Sequence, residues 1–172
     1  MAILKKGLSG APVRRLQALL GVDIDGQFGP ATEKALKAYQ EDNDLKVDGI
    51  AGPDTFAHMG LHELILLKRG SKGATVKRLQ EALGIAADGA FGGGTEKVVK
   101  EFQEERGLTV DGIVGPATLA QIDLFEEVTE ETVRMSKLTR EEIEEAEKEG
   151  VELKAADASG GSIWGAIKGL FD

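Results

Sequence analysis

His58 and His62, in "HMGLH", stand four residues apart with Glu63 beside the second. One helical turn separates such imidazoles, a spacing at which two nitrogens can share a zinc ion. Gly60 interrupts that turn, however, and the chain has no third histidine and no cysteine. Two ligands do not hold a catalytic metal, so no metal site is expected. "DIDG" at 23–26 opens like a calcium loop, but the later ligand positions are missing and the stretch reads as a turn. Thirty carboxylates supply many chance pairs, and none is marked as an acid and a base sharing one cleft. The chain lacks G-x-S-x-G, a phosphate-binding glycine loop and a Cys/His pair. No catalytic residue and no cofactor is expected, and the chain does not read as an enzyme.

The composition narrows the partners. A net charge of −9 over 172 residues argues against nucleic acid, because phosphate binding needs clustered Lys and Arg. It also disfavours attraction to anionic membranes. Only eight residues are aromatic, so the core must rest on Leu, Val, Ile and Ala. "MAILKKGLSG" has no apolar stretch of secretory length after its lysines, and "LILL" at 64–67 is too short to span a bilayer. On this reading the protein is made in the cytoplasm without a general export signal.

The elements that must position any binding group come from a repeat. Residues 7–56 align with 70–119 without a gap, and 27 of the 50 positions are identical. "VRRLQALLG" (13–21) matches "VKRLQEALG" (76–84), and "DGIAGPDT" (48–55) matches "DGIVGPAT" (111–118). A shorter period of 23 lies inside each copy, carrying Asp25-Gly26 onto Asp48-Gly49. Each copy therefore runs through two rounds of helix, Asp-Gly turn and Gly-Pro entry into the next helix. Val13, Leu16, Leu19 and Leu20 predict an apolar helical stripe, and Gly21 a left-handed cap. Pro30 and Pro53 suit a first helical position, where a missing N–H costs nothing. Ala35, Leu36 and Tyr39 supply the stripe of the second helix. Phe28 and Ile50, beside the turns, are expected to plug the space between helices.

At these residues the chain resembles the three-helix peptidoglycan-binding domain family, found appended to bacterial cell-wall amidases, carboxypeptidases and phage endolysins. The family pattern is V-x-x-L-Q, then D-G-x-F-G-P-x-T, then F-Q-x-x-x-G-L-x-V-D-G-x-x-G-P-x-T. "VRRLQ" (13–17), "DGQFGPAT" (25–32) and "YQEDNDLKVDGIAGPDT" (39–55) meet it, and the second copy meets it again from Val76 to Thr118. Tyr39 replaces the usual Phe, and "FGGGT" at 91–95 replaces F-G-P-x-T, which should loosen the entry of that helix. The resemblance implies an all-α fold of two tandem three-helix bundles, with peptidoglycan as partner. It also implies a ligand groove between helices and loops. Gln17, Asp25, Gln40, Asp48, Gln80, Asp88, Gln103 and Asp111 are then the candidates to hydrogen-bond stem-peptide amides. By residue type alone, the four Asp-Gly pairs are turn and cap signals first.

Beyond residue 122 the repeat stops. "LTREEIEEAEKEG" (138–150) carries a capping box, Thr139 with Glu142, and reads as a charged surface helix. "KAADASGG" (154–161) reads as a flexible linker. Ile163, Trp164, Ile167, Leu170 and Phe171 then fall on one helical face, weakened by Gly165 and Gly169. That peptide is expected to dock a protein partner; the alternative is that it folds back onto the second module.

The expected organisation is module 1 at 1–60, a linker at 61–67 and module 2 at 68–124. An acidic helical segment follows at 125–153, then the flexible linker at 154–161 and the docking peptide at 162–172. The function read from this is non-catalytic wall binding with a C-terminal attachment tail, reached by delivery in a phage-like particle or by release at lysis. The alternative is a structural adaptor of a phage tail or contractile injection baseplate, with the modules as protein glue.

Overall fold

The structure is a computed structural model that describes residues 2–122 continuously, and beyond them 124, 125, 128, 130–137, 139, 141, 142, 144, 148, 167 and 168. The fold is all-α. Helices α1 (Ala11–Leu20), α2 (Pro30–Asp42) and α3 (Pro53–His58) form the first copy, and α4 (Ala74–Ala82), α5 (Gly93–Glu105) and α6 (Pro116–Ile122) the second. A 3-10 turn spans His62–Leu64, and α7 covers Glu130–Met135. Two two-residue strands, β1 (Ser9–Gly10) and β2 (Ile167–Lys168), pair antiparallel.

Backbone contacts divide the chain into two compact units. One holds Ile3–Ala51 with Ser136–Asp172, the other Met1–Ala2 with Gly52–Met135. In the first, single bridges tie Leu4 to Ala51 and Ser9 to Gln27, so the N-terminal stretch laces the two Asp-Gly loops together. The second unit repeats the lacing 63 residues on, with Leu67 on Val114 and Lys72 on Ala90.

The local chemistry explains most of these elements. Pro30 and Pro53 open α2 and α3, and Gly21 caps α1 in the left-handed region at φ 66°. On α1 the buried stripe is Val13, Leu16 and Gln17, while Leu19 is 52% exposed and Leu20 half-buried. Leu19 was expected in that stripe. At about 100° per residue it points roughly 120° away from Val13, whereas Gln17, only about 40° away, is buried in the stripe. Phe28 and its counterpart Phe91 are buried as plugs between helices, each worth about 2–3 kcal/mol of burial. Ile50, expected to do the same, is only half-buried; its neighbour Ala51 is fully buried, because the bridge to Leu4 turns that residue inward.

Residues 61–67 differ from the expected linker. Leu61, Leu64, Ile65 and Leu67 are buried, which is where a segment with that many apolar residues must go. Phe125 closes over them: its ring lies 4.7 Å from that of His62, with the Arg78 guanidinium 4.4 Å from its centroid.

The helix without its proline also differs from expectation. Gly92 has φ −95° and ψ −171°, matching −94° and −172° at Gly29, so α5 starts where α2 does despite "FGGGT". Any looseness therefore lies in the unfolded chain, whose three glycines have more freedom to lose. A Cβ on Gly94 would meet nothing within 4 Å, and one on Gly93 would meet only the tip of Arg69 at 3.8 Å. Restoring the first copy's Pro-Ala, as Gly93→Pro with Gly94→Ala, should stabilise the protein by about 1–2 kcal/mol, read as a rise in thermal midpoint.

Candidate functional site

The eight candidate residues form four copies of one hydrogen-bonded turn. In the first, Gln17 Nε2 donates to Asp25 Oδ1 (2.7 Å), the Gln27 carbonyl (3.0 Å) and Thr32 Oγ1 (3.1 Å). Its Oε1 accepts from the Gly26 N–H at 2.8 Å, and Asp25 accepts from the Gln27 N–H at 2.8 Å. Gln40 repeats this around Asp48, Gly49 and Ile50, bonding Asp48 at 3.2 Å and the Gly49 N–H at 2.9 Å. Gln80 does so around Asp88, Gly89, Ala90 and Thr95, and Gln103 around Asp111, Gly112, Ile113 and Thr118.

Each glutamine is 1% exposed, and both ends of its amide are spent on the fold. A primary amide with its donors shared among two or three acceptors has nothing left to offer a ligand without breaking the turn. The glycine after each aspartate sits at φ 69–73°, where a side chain would be strained. The structure thus brings each Gln to its own Asp as a turn clasp.

The turns around Asp25, Asp48 and Asp88 shift those carboxylates. Asp25 is held below the ordinary carboxylate range by the Gln17 amide first and then the Gln27 N–H. Asp88 is lowered by the Ala90 N–H and then by Gln80. At Asp48 burial pushes upward, but the Ile50 N–H, Lys46 and Gln40 outweigh it and the net shift is downward. A lowered folded-state pKa gives stability that is present above the unfolded value and is lost as pH falls through the folded one. The thermal midpoint should therefore hold from neutral pH to about 5 and fall below about 4, where free carboxylates protonate.

The two histidines part company. His58 is exposed at the end of α3, while His62 is buried against Phe125, and Gly60 turns the chain between them at φ 72°. Among the described residues no group of three or more His, Asp or Glu is placed to hold a metal ion.

The open polar surface lies elsewhere. A groove of about 380 Å³ runs along α5, lined by Arg69, Gly93, Glu96, Lys97, Lys100, Glu101, Glu104 and Val110. Lys100 bonds Glu96 at 2.9 Å, and Arg69 approaches the same carboxylate at 3.9 Å. The first copy has the equivalent arrangement on α2, with Lys37 on Glu33 at 2.9 Å and Lys6 at 3.4 Å. Lys37 and Lys100, first by hydrogen bond and then by charge, lower the pKa of Glu33 and Glu96. The lysine stems lie on the turn glycines: a Cβ on Gly49 would come within 2.8 Å of Lys37 Cε, and one on Gly112 within 2.8 Å of Lys100 Cε. Val47 and Val110, at equivalent places, are each 50% exposed. The sequence reading passed over this cluster; its visible signal is a Glu-to-Lys spacing of four, at 33/37 and again at 96/100.

The tail is placed in part. Thr139 and Glu142 form the expected capping box, the Thr139 N–H donating to Glu142 Oε2 at 2.7 Å and the Glu142 N–H to Thr139 Oγ1 at 3.2 Å. Glu142 also pairs with Arg15 on α1 at 3.1 Å. Ile167 lies in β2, opposite Gly10, rather than in the expected helix. Glycines at 165 and 169 each cost a helix about 1 kcal/mol, and β-branched Ile favours the strand. The described pair 167–168 thus lies against the start of the first copy. Ile163, Trp164, Leu170 and Phe171, and the flexible linker expected at 154–161, lie outside the described residues.

Two copies of a small three-helix module, each built on buried glutamine clasps with Glu–Lys pairs outside, define an all-α tandem-module protein. Residues 9–59 and 72–122 both match the family model described as "Putative peptidoglycan binding domain". The chain belongs to that family. It is 46% identical over 61 residues to the zinc D-Ala-D-Ala carboxypeptidase of Streptomyces albus G, covering 31% of this chain and 24% of that protein. It is 41% identical over 61 residues to a probable N-acetylmuramoyl-L-alanine amidase of Bacillus licheniformis, covering 31% of this chain and 17% of that protein. The chain thus spans a quarter or less of the length of these two relatives. Among solved structures, a peptidoglycan-binding protein from Clostridioides difficile in complex with glutamine hydroxamate is 36% identical over 34% of this chain and 40% of its own, with a TM-score of 0.33. A Burkholderia AP3 phage endolysin is 28% identical over 59% of this chain and 38% of its own, with a TM-score of 0.34.

Proposed function

We propose that this chain binds peptidoglycan at the bacterial cell wall without cutting it, through two modules at 1–60 and 68–124. The observation that carries this reading is the double family match, supported by a polar groove open on the second copy. Two modules on one chain add avidity wherever both reach the same polymer. The repeated chemistry of the clasps goes into folding, so binding falls to the outer surface of α2 and α5. The full chain should co-sediment with purified sacculi while the muropeptide profile stays unchanged. Release of new muropeptides would overturn the non-catalytic part, and failure to sediment with any sacculus type would overturn the binding part.

A second reading, the phage-tail or baseplate adaptor, is favoured by one observation: β1 accepts a strand from residues 167–168. An edge that takes one extended segment in cis can take another in trans. In this reading the tail at 162–172 exchanges its own module for a protein partner, and the chain travels in a phage-like particle.

A further inference from the structure

We propose that the α5 groove binds a short peptide that carries a free carboxylate beside an ammonium group, and that the matching surface of α2 keeps the carboxylate contacts but only part of the ammonium ones. This rests on the wall-binding reading and deepens it, by placing recognition in the stem peptide rather than in the glycan.

The lining decides the ligand class. Six of the eight groove residues are charged, three cationic and three anionic, and none is aromatic. Sugar rings are held by flat aromatic faces against their C–H surfaces, and this groove offers none. A volume of about 380 Å³ lies at the small end of ligand sites and suits two or three peptide residues.

The charges are arranged beyond what stability asks for. Exposed ion pairs contribute little to folding, so a repeated cluster of them is not explained by it. Lys100 is seated on Gly112 and tied to Glu96, which fixes an ammonium at the groove wall. Arg69 stands 3.9 Å from the same carboxylate, too far for a tight hydrogen bond, with a fork of donors suited to a second carboxylate. Lys97 and Glu101 are likewise loosely paired at 3.7 Å. A ligand carboxylate fits between Arg69 and Lys100, and its ammonium fits toward Glu101 and Glu104. Val110, half exposed at the rim, covers the aliphatic part between them.

The two copies are not equivalent. Lys6, Lys34 and Lys37 keep the three cations of Arg69, Lys97 and Lys100, but Ala38 stands where the second copy has Glu101. The first surface therefore keeps the carboxylate half of the site and loses part of the ammonium half.

The test uses the full chain and the synthetic pentapeptide L-Ala-γ-D-Glu-L-Lys-D-Ala-D-Ala, titrated calorimetrically. Lys100→Met and, separately, Arg69→Met should each weaken binding about tenfold at the second module, with unchanged helical circular dichroism. Amidating the peptide's C-terminal carboxylate should weaken binding by a similar factor, and acetylating its lysine should weaken it in the wild type but not in Glu101→Gln. Equal affinity of the variants, or of the blocked peptides, would overturn the proposal. Tighter binding of peptide-free glycan chains would overturn it as well. Retention of a Lys37→Met/Lys100→Met chain on sacculi at wild-type level would sink the groove while leaving wall binding intact. A wild-type chain that binds the peptide but no sacculus would do the reverse.

Discussion

Gln80→Ala is expected to cost about 3 kcal/mol, the largest loss of any single polar change in the second copy. The side chain is 1% exposed and makes four bonds between 2.8 and 3.1 Å. Its removal strands the Gly89 N–H, the Ala90 carbonyl, the Thr95 hydroxyl and one lone pair of Asp88 at once. An unmade buried bond costs about 1–3 kcal/mol, and partial solvent access at the turn keeps the sum below the arithmetic total. Gln80→Glu should do no better, because it loses the donors and sets a second carboxylate against Asp88. Urea unfolding of the full chain gives the number. A cost under about 1 kcal/mol would mean that the clasp does not hold the turn.

Asp54→Ala should cost about 1–2 kcal/mol, as expected for a lost helix cap. Asp54 sits at the start of α3, yet it accepts from the Ala74 N–H at 3.0 Å, the Thr75 N–H at 2.7 Å and the Thr75 hydroxyl at 2.6 Å. It is the side-chain cap of α4, supplied from 20 residues upstream, and its charge meets the positive end of that helix. Asp54→Asn should recover much of the loss, since one amide oxygen still accepts. The variants separate by thermal melting, and an Asp54→Ala midpoint equal to the wild type would remove the cap from the account. The second octapeptide has Ala117 at this place.

That pair of octapeptides shows what a sequence makes legible. "DGIAGPDT" and "DGIVGPAT" differ at two positions, and their shared letters state the turn and the helix entry outright. Each of these is local chemistry: glycine for a positive φ, proline for the first turn, aspartate for its neighbours' N–H groups. The differing Asp54 was silent because its partners lie beyond the turn it belongs to. Gln17 is a ligand candidate only through the groove that the family resemblance implies, and only packing shows it buried and bonded to the aspartate eight residues on. Glu33 and Lys37 carry the spacing of an ordinary surface pair, and nothing in the sequence shows that they rest on Gly49. Leu61 to Leu67 looked like a linker because the repeat pauses there, although its apolar content already required burial. The strand at 167–168 was hidden by a helical spacing that two glycines undercut.

The central claim is that the four glutamine clasps are scaffold and that wall ligand leaves them closed. It is tested most directly by following the glutamine side-chain amide protons in nuclear magnetic resonance spectra while soluble muropeptides are titrated into the full chain. The account predicts slow-exchanging, unshifted amides at Gln17, Gln40, Gln80 and Gln103, with the shifts gathered on α2, α5, Val47 and Val110. Amide resonances of those glutamines that move or lose protection on saturation would contradict it, because the clasps themselves would then be the binding site.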